Sequence, residues 1–283
     1  MPERPEIFHD IAPRTDVVAQ PLSTWQRIYA SAAARKAVLL VVLALVWEVY
    51  ARRLNNPLLF PSFSSTVSAL FESLSSGEIP RAAGYTLLLL IKGYSAGLLL
   101  AGLLTALAAA TRWGSDLLEI LTSMFNPLPS IALLPLALIW FGLGDGSIIF
   151  VLVHAVVWVV ALNTFAGFRA VSPTLRMVGQ NYGLSRPGYI ARILIPGAFP
   201  SILTGLKVGW AFCWRTLIAA ELVFGVSSGS GGLGWFIFER KNQLLIPDVF
   251  AGLLTVIVFG LLVENLIFGT IERRTVRRWG MQN

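Results

Sequence analysis

Long apolar stretches without a charged residue alternate with short polar segments along this chain. Three of them, residues 93–111, 120–144 and 146–168, are long enough to cross the hydrocarbon core of a bilayer, which takes ~20 residues of helix. Three further apolar stretches are interrupted by charges: residues 37–50, 198–223 and 249–271. The pattern predicts an all-α, polytopic membrane protein with about six transmembrane helices.

The composition and the charge distribution favour the same class. Hydrophobic residues make up 55% of the 283-residue chain and charged residues only 13%, whereas soluble domains carry about a quarter charged residues. The net charge is +7, but the basic residues are scattered between apolar stretches and form no dense stripe with aromatic residues, as a nucleic-acid surface would require. We therefore expect membrane lipid, and not nucleic acid, as the surroundings.

The position of the basic residues predicts the topology. Of the 22 lysines and arginines, 14 fall in the segments that are inside if the N-terminus is cytoplasmic, five fall in the outer loops and three lie within spans, which obeys the positive-inside rule. We expect a cytoplasmic tail over residues 1–35, a transmembrane domain over 36–275 and a cytoplasmic tail over 276–283, in a multi-pass protein of a bacterial inner membrane.

The third apolar stretch contains several prolines. Asn126 is followed by Pro127 and Pro129, and Pro135 comes one to two turns later. Each proline removes a backbone donor and kinks a helix, and such a break persists in lipid only where protein or a watery cavity satisfies the freed carbonyls. The segment is either a kinked packing helix or a helix that lines a pathway, with Asn126 and Pro129 as the candidate pathway residues.

A basic cytoplasmic loop, residues 169–195, separates the fourth and fifth spans. It is too amphipathic for a further span and predicts a short helix, a break near Gly183, and a second helix that Ser185 caps and Pro187 begins. Such a helix at the membrane face is a plausible docking site for a soluble partner.

Three motifs resemble one known family. In the loop, Met177-Val178-Gly179 stands where the family has Glu-Ala-Ala, and the later spacing is kept through Gly183, Ile193, Ile195 and Pro196. The third span contains the family's proline and Trp-Phe-Gly pattern: Pro127, Pro129, Pro135, Trp140, Phe141, Gly142 and Gly144. The fifth span and its sequel match through Pro200, residues 203–206, Trp214, Arg215, residues 219–222 and residues 232–235. The chain resembles the permeases of ATP-binding-cassette (ABC) importers of the nitrate, sulfonate, taurine and bicarbonate group.

The resemblance implies a type I ABC importer permease fold and a set of partners. It implies a second copy of the permease, two cytoplasmic ATPase subunits that bind ATP and Mg, an extracytoplasmic substrate-binding protein, and no cofactor in this chain. The substrate would be a small anion such as a sulfonate, nitrate or bicarbonate, moved by alternating access. The group also borders on permeases for thiamine-type precursors, so the alternative substrate is a thiamine-precursor-like solute. The residues that would couple the loop to the ATPases are Met177, Gly179, Gly183, Ser185, Arg186 and Pro187.

The fifth span has a charged face and a small-residue face. At 100° per residue, one third of the circumference holds Lys207, Ala211, Trp214, Arg215, Ile218 and Glu221, and Gly205, Gly209 and Cys213 lie opposite. The small residues predict the close approach of another helix, and the cost of a charge facing lipid directs the charged face inward. Trp214, Arg215 and Glu221 are thus candidate pathway residues, although Arg215 and Glu221 suit a structural ion network equally. Glu221 either pairs with Arg215 or holds a neighbouring helix, and Lys207 either has a function or extends toward the cytoplasm.

Motifs for catalysis are absent from the sequence. It contains neither the phosphate-binding Gly-x4-Gly-Lys-Ser/Thr pattern nor His-Glu-x2-His, and the lone His154 on an apolar stretch is interpreted as a hydrogen-bonded structural histidine. We expect a transport subunit, not an enzyme, with ATP hydrolysis supplied by other chains. The two rival functions are an ion-coupled secondary transporter, which also uses broken helices and buried charges, and a membrane enzyme that acts on lipids.

Overall fold

The computed structural model describes residues 29–224, 231–278 and 280, so that most of the predicted N-terminal tail lies outside the described residues. Within these ranges the chain is helical and contains no β-strand, as predicted. The helices are α1 (Ala32–Leu54), α2 (Phe63–Ser75), α3 (Glu78–Ala110), α4 (Arg112–Phe125), α5 (Leu134–Phe141), α6 (Asp145–Ala170), α7 (Pro173–Asn181), α8 (Arg186–Tyr189), α9 (Ile195–Gly197), α10 (Phe199–Phe224), α11 (Leu233–Asn242), α12 (Ile246–Leu262) and α13 (Gly269–Arg274). Short π-helical turns, Ile190–Leu194 and Val263–Phe268, join α8 to α9 and α12 to α13.

Several of these helices can cross a membrane. Glu78–Ala110, Asp145–Ala170 and Ile246–Arg274 are continuous, long and apolar enough, and two bent helix pairs raise the number among the described residues to five. Helix α1 is not among them because charged residues flank and interrupt its apolar stretch. The prediction of a polytopic helical membrane protein is confirmed.

The chain divides into two compact units, Met1–Tyr50 and Ala51–Asn283, and the boundary lies within α1. In the first unit, the described part of α1 exposes apolar side chains along its length: Val38, Leu39, Leu40, Val41, Val42, Leu43, Leu45 and Val46. A surface this apolar requires lipid or protein as its neighbour.

The core of the second unit is built around α6, which packs against both α3 and α10. Small residues permit the close approach. A Cβ atom added at Gly93 of α3 would lie 2.6 Å from the Cβ of Leu152, and one added at Gly209 of α10 would lie 2.8 Å from Cγ2 of Val160. With Cys213 fully buried beside them, the prediction that the small-residue face of α10 meets another helix is confirmed.

The third apolar stretch consists of two helices joined at a break. Helix α4 and the segment Ser130–Phe141 are inclined to each other by 87°, so the predicted break within residues 120–144 is present, and the pair forms either one broken span or a re-entrant segment. The last α-helical bond of α4 runs from the amide of Asn126 to the carbonyl of Thr122, at 3.0 Å. Pro127 and Pro129 cannot donate the next bonds of the ladder, so the helix ends there and the chain turns.

The basic loop forms the predicted helix, break and second helix. Helix α7 ends before Gly183, whose φ of +59° favours glycine. The Ser185 hydroxyl then accepts a hydrogen bond from the amide of Gly188, at 3.4 Å, and so caps α8. Arg176 ties the loop to the end of α6, since its guanidinium donates to the carbonyls of Phe168, Arg169 and Val171 at 2.8 to 3.1 Å.

Candidate functional site

The break between α4 and α5 opens a cavity of about 610 Å³ against α6 and α10. Three of the predicted pathway residues line it: Asn126 and Pro129 from the break, and Arg215 from the middle of α10. Arg215 is some 90 positions from Asn126 and Pro129 in the sequence. The packing of α10 against α6 brings all three residues to the wall of the same cavity. The broken helix therefore borders a cavity.

A second cavity of about 670 Å³ lies on the other side of Arg215, between α10 and α12. Trp214, only 8% exposed, lines it with Lys207 and Glu264. Arg215 lines both cavities and is exposed in the chain. Among the described residues it has no hydrogen-bond or ion-pair partner. A guanidinium placed in this way is a fixed positive charge that an anion entering either cavity would meet.

Glu221 lies apart from both cavities, although the helical wheel places it on the same face as Arg215. Its side chain is 2% exposed. The carboxylate accepts hydrogen bonds from the Thr86 hydroxyl, at 2.9 and 3.0 Å, and from the amide of Gly234, at 2.9 Å. Of the two alternatives left by the sequence, these contacts favour the one in which Glu221 holds a neighbouring helix.

The contacts of Glu221 complete the start of α11. The residue at the N-cap of this helix, Gly232, has no side chain that could accept from the first free amides. Oxygen atoms from other helices accept them instead: Thr86 of α3 accepts from the amide of Leu233 at 2.8 Å, and Glu221 of α10 accepts from that of Gly234. The cluster of Thr86, Glu221 and residues 232–234, here called the Glu221 cluster, thereby joins α3, α10 and α11.

Two lysines within the predicted spans form ion pairs. Lys207 pairs with Glu272 of α13, which also lies 3.6 Å from the guanidinium of Arg277. Lys92 lies 3.8 Å from Asp145, whose carboxylate accepts a bond of 2.7 Å from the Tyr85 hydroxyl. Lys207 thus forms an ion pair with α13, a role not considered from the sequence.

Two residues that the sequence did not place at a site line the cavity of Arg215. His154 and Trp158, one turn apart on α6, contribute their rings to its wall, and Asn163 and Ser130 add further polar groups. The imidazole Nδ1 of His154 lies 3.2 Å from the Ser130 hydroxyl, so that the predicted hydrogen bond of this histidine is present. The spacing of four residues between His154 and Trp158 indicates that they share a face of the helix. The sequence does not show that this face of α6 borders a cavity.

The predicted coupling residues form an exposed surface around one buried glycine. Met177, Gly183, Ser185, Arg186 and Pro187 are exposed. Gly179 is buried beneath α8, and a Cβ atom added there would lie 2.7 Å from the Tyr189 ring and 3.1 Å from Ile193. The glycine lets α7 and the second helix of the loop touch, which holds the exposed residues in a fixed arrangement.

No cluster of three or more His, Cys, Asp or Glu side chains suited to a metal ion occurs within residues 29–224, 231–278 and 280. The described residues combine buried polar contacts, a broken helix and two cavities that share Arg215, and we identify no catalytic grouping among them.

Comparison with known proteins places the chain more closely. Residues 97–279 match the family model described as the binding-protein-dependent transport system inner membrane component. The chain is 28% identical over 224 residues, 78% of its length, to a putative ABC transporter permease of Methanocaldococcus jannaschii, covering 83% of that protein. It is 28% identical to the nitrate import permease of Synechocystis over 85% of this chain and 88% of the relative, and 34% identical to the taurine transport system permease of Escherichia coli over 56% of each chain.

The chain belongs to the family of inner-membrane components of binding-protein-dependent ABC transport systems, since the family model covers more than half of it. The resemblance identified from the loop, the third span and the fifth span is confirmed, and so is the type I ABC importer permease fold. The relatives are named as permeases, which agrees with a transport subunit in a membrane and disfavours a lipid-modifying enzyme.

Proposed function

We propose that this chain carries a small anion, such as a sulfonate, nitrate or bicarbonate, across the inner membrane by alternating between outward-open and inward-open states. The observation that carries the proposal is the position of Arg215, which lines two cavities, one of them beside the broken helix, and has no partner among the described residues. Relatives named for nitrate and taurine transport support the same substrate class.

The physical reason is the cost of moving a charge through an apolar space. An anion that leaves water for a low-dielectric cavity loses its hydration, and the loss is large unless another charge or hydrogen bond replaces it. The guanidinium of Arg215 presents paired donors that fit a sulfonate, nitrate or carboxylate. Asn126 adds an amide and Trp214 a wall, while Pro129 shapes the break. Glu221 lines neither cavity, so any contribution of this residue to transport would come from its hydrogen bond to the start of α11.

The proposed assembly has a second copy of this chain, two cytoplasmic ATPase subunits that bind ATP and Mg, and an extracytoplasmic binding protein. Membership of the family supports the ATPase and the binding protein, and the exposed apolar side chains of Ile139, Leu143 and Leu266 suit lipid or the second copy. Both termini lie in the cytoplasm in this proposal, as the distribution of basic residues predicts.

The test is uptake by the complex reconstituted in liposomes with its ATPase and binding protein. Labelled taurine, nitrate and bicarbonate are supplied in turn, with a thiamine-precursor-like pyrimidine as the fourth solute, and ATP hydrolysis is measured in parallel. Arg215→Gln should lower anion uptake by about tenfold or more, because a hydrogen bond to a charged group is worth roughly 1.5–3 kcal/mol. Arg215→Lys keeps the charge without the paired donors and should fall between Arg215→Gln and the wild type.

The matched control is Lys241→Gln, which removes the same charge from an exposed position on α11 outside both cavities. Its uptake should equal that of the wild type. If the Arg215→Gln variant takes up the anion at the wild-type rate, Arg215 has no role in the pathway. Uptake that continues without ATP would favour the ion-coupled secondary transporter. Uptake of the pyrimidine and of none of the anions would show that the substrate is the pyrimidine.

We also propose that the exposed residues of the loop bind the ATPase: Met177, Gly183, Ser185, Arg186 and Pro187, with Gly179 as the support beneath them. Since Met177 and Val178 are apolar and exposed, docking should rest on packing as much as on charge. Exposed ion pairs are screened within about 3 Å at 1 M salt, so assembly that rests on packing survives molar salt.

Co-purification of the ATPase tests the docking surface. Met177→Glu should abolish it, because a carboxylate placed in an apolar contact loses its hydration without compensation. Arg192→Glu, an exposed charge reversal on the π-helical turn of the same loop, is the matched control and should retain the ATPase. Retention of the ATPase by Met177→Glu, or its loss from the wild type at moderate salt, contradicts docking by packing.

A further inference from the structure

Two ring nitrogens at the cavity of Arg215 have no hydrogen-bond partner among the described residues. They are Nε2 of His154 and Nε1 of Trp158, and both atoms are buried. Both residues line the cavity at the break. Buried polar atoms in folded proteins are nearly always hydrogen-bonded, so that two unpartnered ones in a single cavity call for an explanation. A ligand that passes through the cavity is one.

The rings are held in place by their neighbours. Trp158 stacks on Phe125, the last residue of α4, with ring centroids 5.2 Å apart and planes inclined by 16°. His154 meets the edge of the same phenylalanine at 6.2 Å and lies 6.0 Å from Trp158. Because these contacts restrict both rings, their free nitrogens have defined positions before any ligand arrives, which lowers the cost of binding.

The contact of His154 with Ser130 is compatible with a tautomer in which the second ring nitrogen is a donor. When the Ser130 hydroxyl donates to Nδ1, at 3.2 Å, the proton of the neutral ring is on Nε2, which becomes a donor. The indole Nε1 of Trp158 is a donor only. Residues one turn apart lie on the same face of a helix, so both rings belong to the part of the cavity wall that α6 supplies.

The charges of the cavity suit an anion. Its lining contains the guanidinium of Arg215 and the amides of Asn126 and Asn163, and no acidic residue among the described positions. The remaining walls are largely apolar, including Leu162 and Phe212. A few donors in an otherwise apolar enclosure are typical of a site that orients a small ligand.

We propose that Trp158 and His154 are specificity-determining residues of the pathway, whose indole N–H and imidazole Nε2 hydrogen-bond the oxygen atoms of the anion that Arg215 attracts. The inference rests on the proposed function. The donors come from α6, α10 and the break, so an anion with several acceptor oxygens, such as a sulfonate, carboxylate or nitrate, meets more of them than an anion with a single acceptor atom. Arg215 supplies the charge, and α6 supplies the directional contacts.

The test uses the complete reconstituted complex with taurine, nitrate and bicarbonate as probes. Trp158→Phe removes the indole N–H and keeps an aromatic ring for Phe125. His154→Asn keeps an amide near the position of Nδ1, within reach of Ser130, and removes Nε2, whereas His154→Gln carries its amide to the position of Nε2. Trp140→Phe, the same change at an exposed tryptophan outside the cavity, is the control.

Trp158→Phe and His154→Asn should each lower uptake of the transported probe by about tenfold, as expected for one hydrogen bond to a charged group, and should alter the ratio among the probes. His154→Gln should recover most of the lost uptake, and Trp140→Phe should match the wild type. Thermal stability should be unchanged in all four variants, which a merely structural role of the rings would not permit.

Wild-type uptake and probe ratios in both Trp158→Phe and His154→Asn would overturn the inference while leaving the proposed function intact. Lost uptake accompanied by an equal loss of thermal stability would overturn it as well, because the rings would then act by packing. A wild-type complex that hydrolyses ATP and accumulates none of the three anions would overturn the proposed function, and this inference with it.

Discussion

Two charged residues of α10, six positions apart, have opposite surroundings. Arg215 is exposed in the chain, lines two cavities and has no partner among the described residues. Glu221 is 2% exposed, and its carboxylate accepts from Thr86 and Gly234. The middle of α10 thus carries a charged side chain that a ligand can reach. Nearer its end, the helix carries one whose hydrogen bonds are made within the protein.

The difference shows how a charge in an apolar helix can be tolerated. A buried charge is costly unless hydrogen bonds replace its hydration, and at Glu221 they come from within the chain. At Arg215 the cavities supply space for water or a ligand, so the charge is not enclosed. A charged residue in a span is a functional candidate by default, but a complete set of internal partners argues for a structural role.

The largest loss of stability should follow Glu221→Leu. The change leaves the amide of Gly234 without its acceptor and the Thr86 hydroxyl without the carboxylate, and a buried unsatisfied group costs roughly 1–3 kcal/mol. For two groups we expect about 3 kcal/mol less free energy of unfolding, measured by denaturation in detergent. Glu239→Leu, at an exposed position on α11, is the matched control and should change stability by less than about 0.5 kcal/mol.

An unchanged stability in Glu221→Leu would show that the start of α11 does not depend on the carboxylate. Glu221 would then have no structural role to contrast with the surroundings of Arg215. Equal losses in Glu221→Leu and Glu239→Leu would have the same meaning, since the second change touches none of the cluster.

A smaller loss should follow Gly234→Ala. The added Cβ atom would lie 2.6 Å from the backbone carbonyl oxygen of Ile218 and 2.7 Å from Cβ of Glu221, and neither atom can move without a shift of α10. Overpacking of this kind costs roughly 1–3 kcal/mol. At Gly84 of α3 nothing lies within 4 Å of such an atom, so that Gly84→Ala should be neutral or stabilise by about 0.5–1 kcal/mol. Thermal denaturation of the two variants side by side checks the sign, and a Gly234→Ala protein as stable as Gly84→Ala would mean that α11 approaches α10 less closely.

The smallest change in stability should be that of Arg215→Gln. Since the side chain is exposed and makes no contact with a partner in the described chain, the free energy of unfolding should stay within about 0.5 kcal/mol of the wild type, even though uptake falls. A loss of stability as large as that of Glu221→Leu would show that Arg215 is held in a structural network. Both charged residues of α10 would then have a structural role.

Much of this arrangement could be predicted before the structure. The apolar stretches follow from the thickness of the bilayer, and the end of α4 follows from Pro127 and Pro129, which cannot donate a helical hydrogen bond. The cap of α8 by Ser185 and the small-residue face of Gly205 and Gly209 were also predicted. Each of these features depends on residues close to one another in the chain.

The separate roles of Arg215 and Glu221 could not be predicted in this way. On a helical wheel they share a face, and only the packing of α3 and α11 around the C-terminal part of α10 encloses Glu221. Its partner Thr86 is 135 positions away. The 87° bend at the break is decided by tertiary packing too, because proline ends a helix without setting the direction in which the chain continues.

The sequence by itself determined that this chain is a helical membrane protein, where its third span breaks, and which family it resembles, because hydrophobicity and proline act locally and motifs are read directly. Only the tertiary structure decided that His154 and Trp158 join Arg215 at one cavity while Glu221 is withdrawn from it. The physical reason is that the use of a polar side chain depends on the atoms that surround it, and in a bundle those atoms come from helices distant in the sequence.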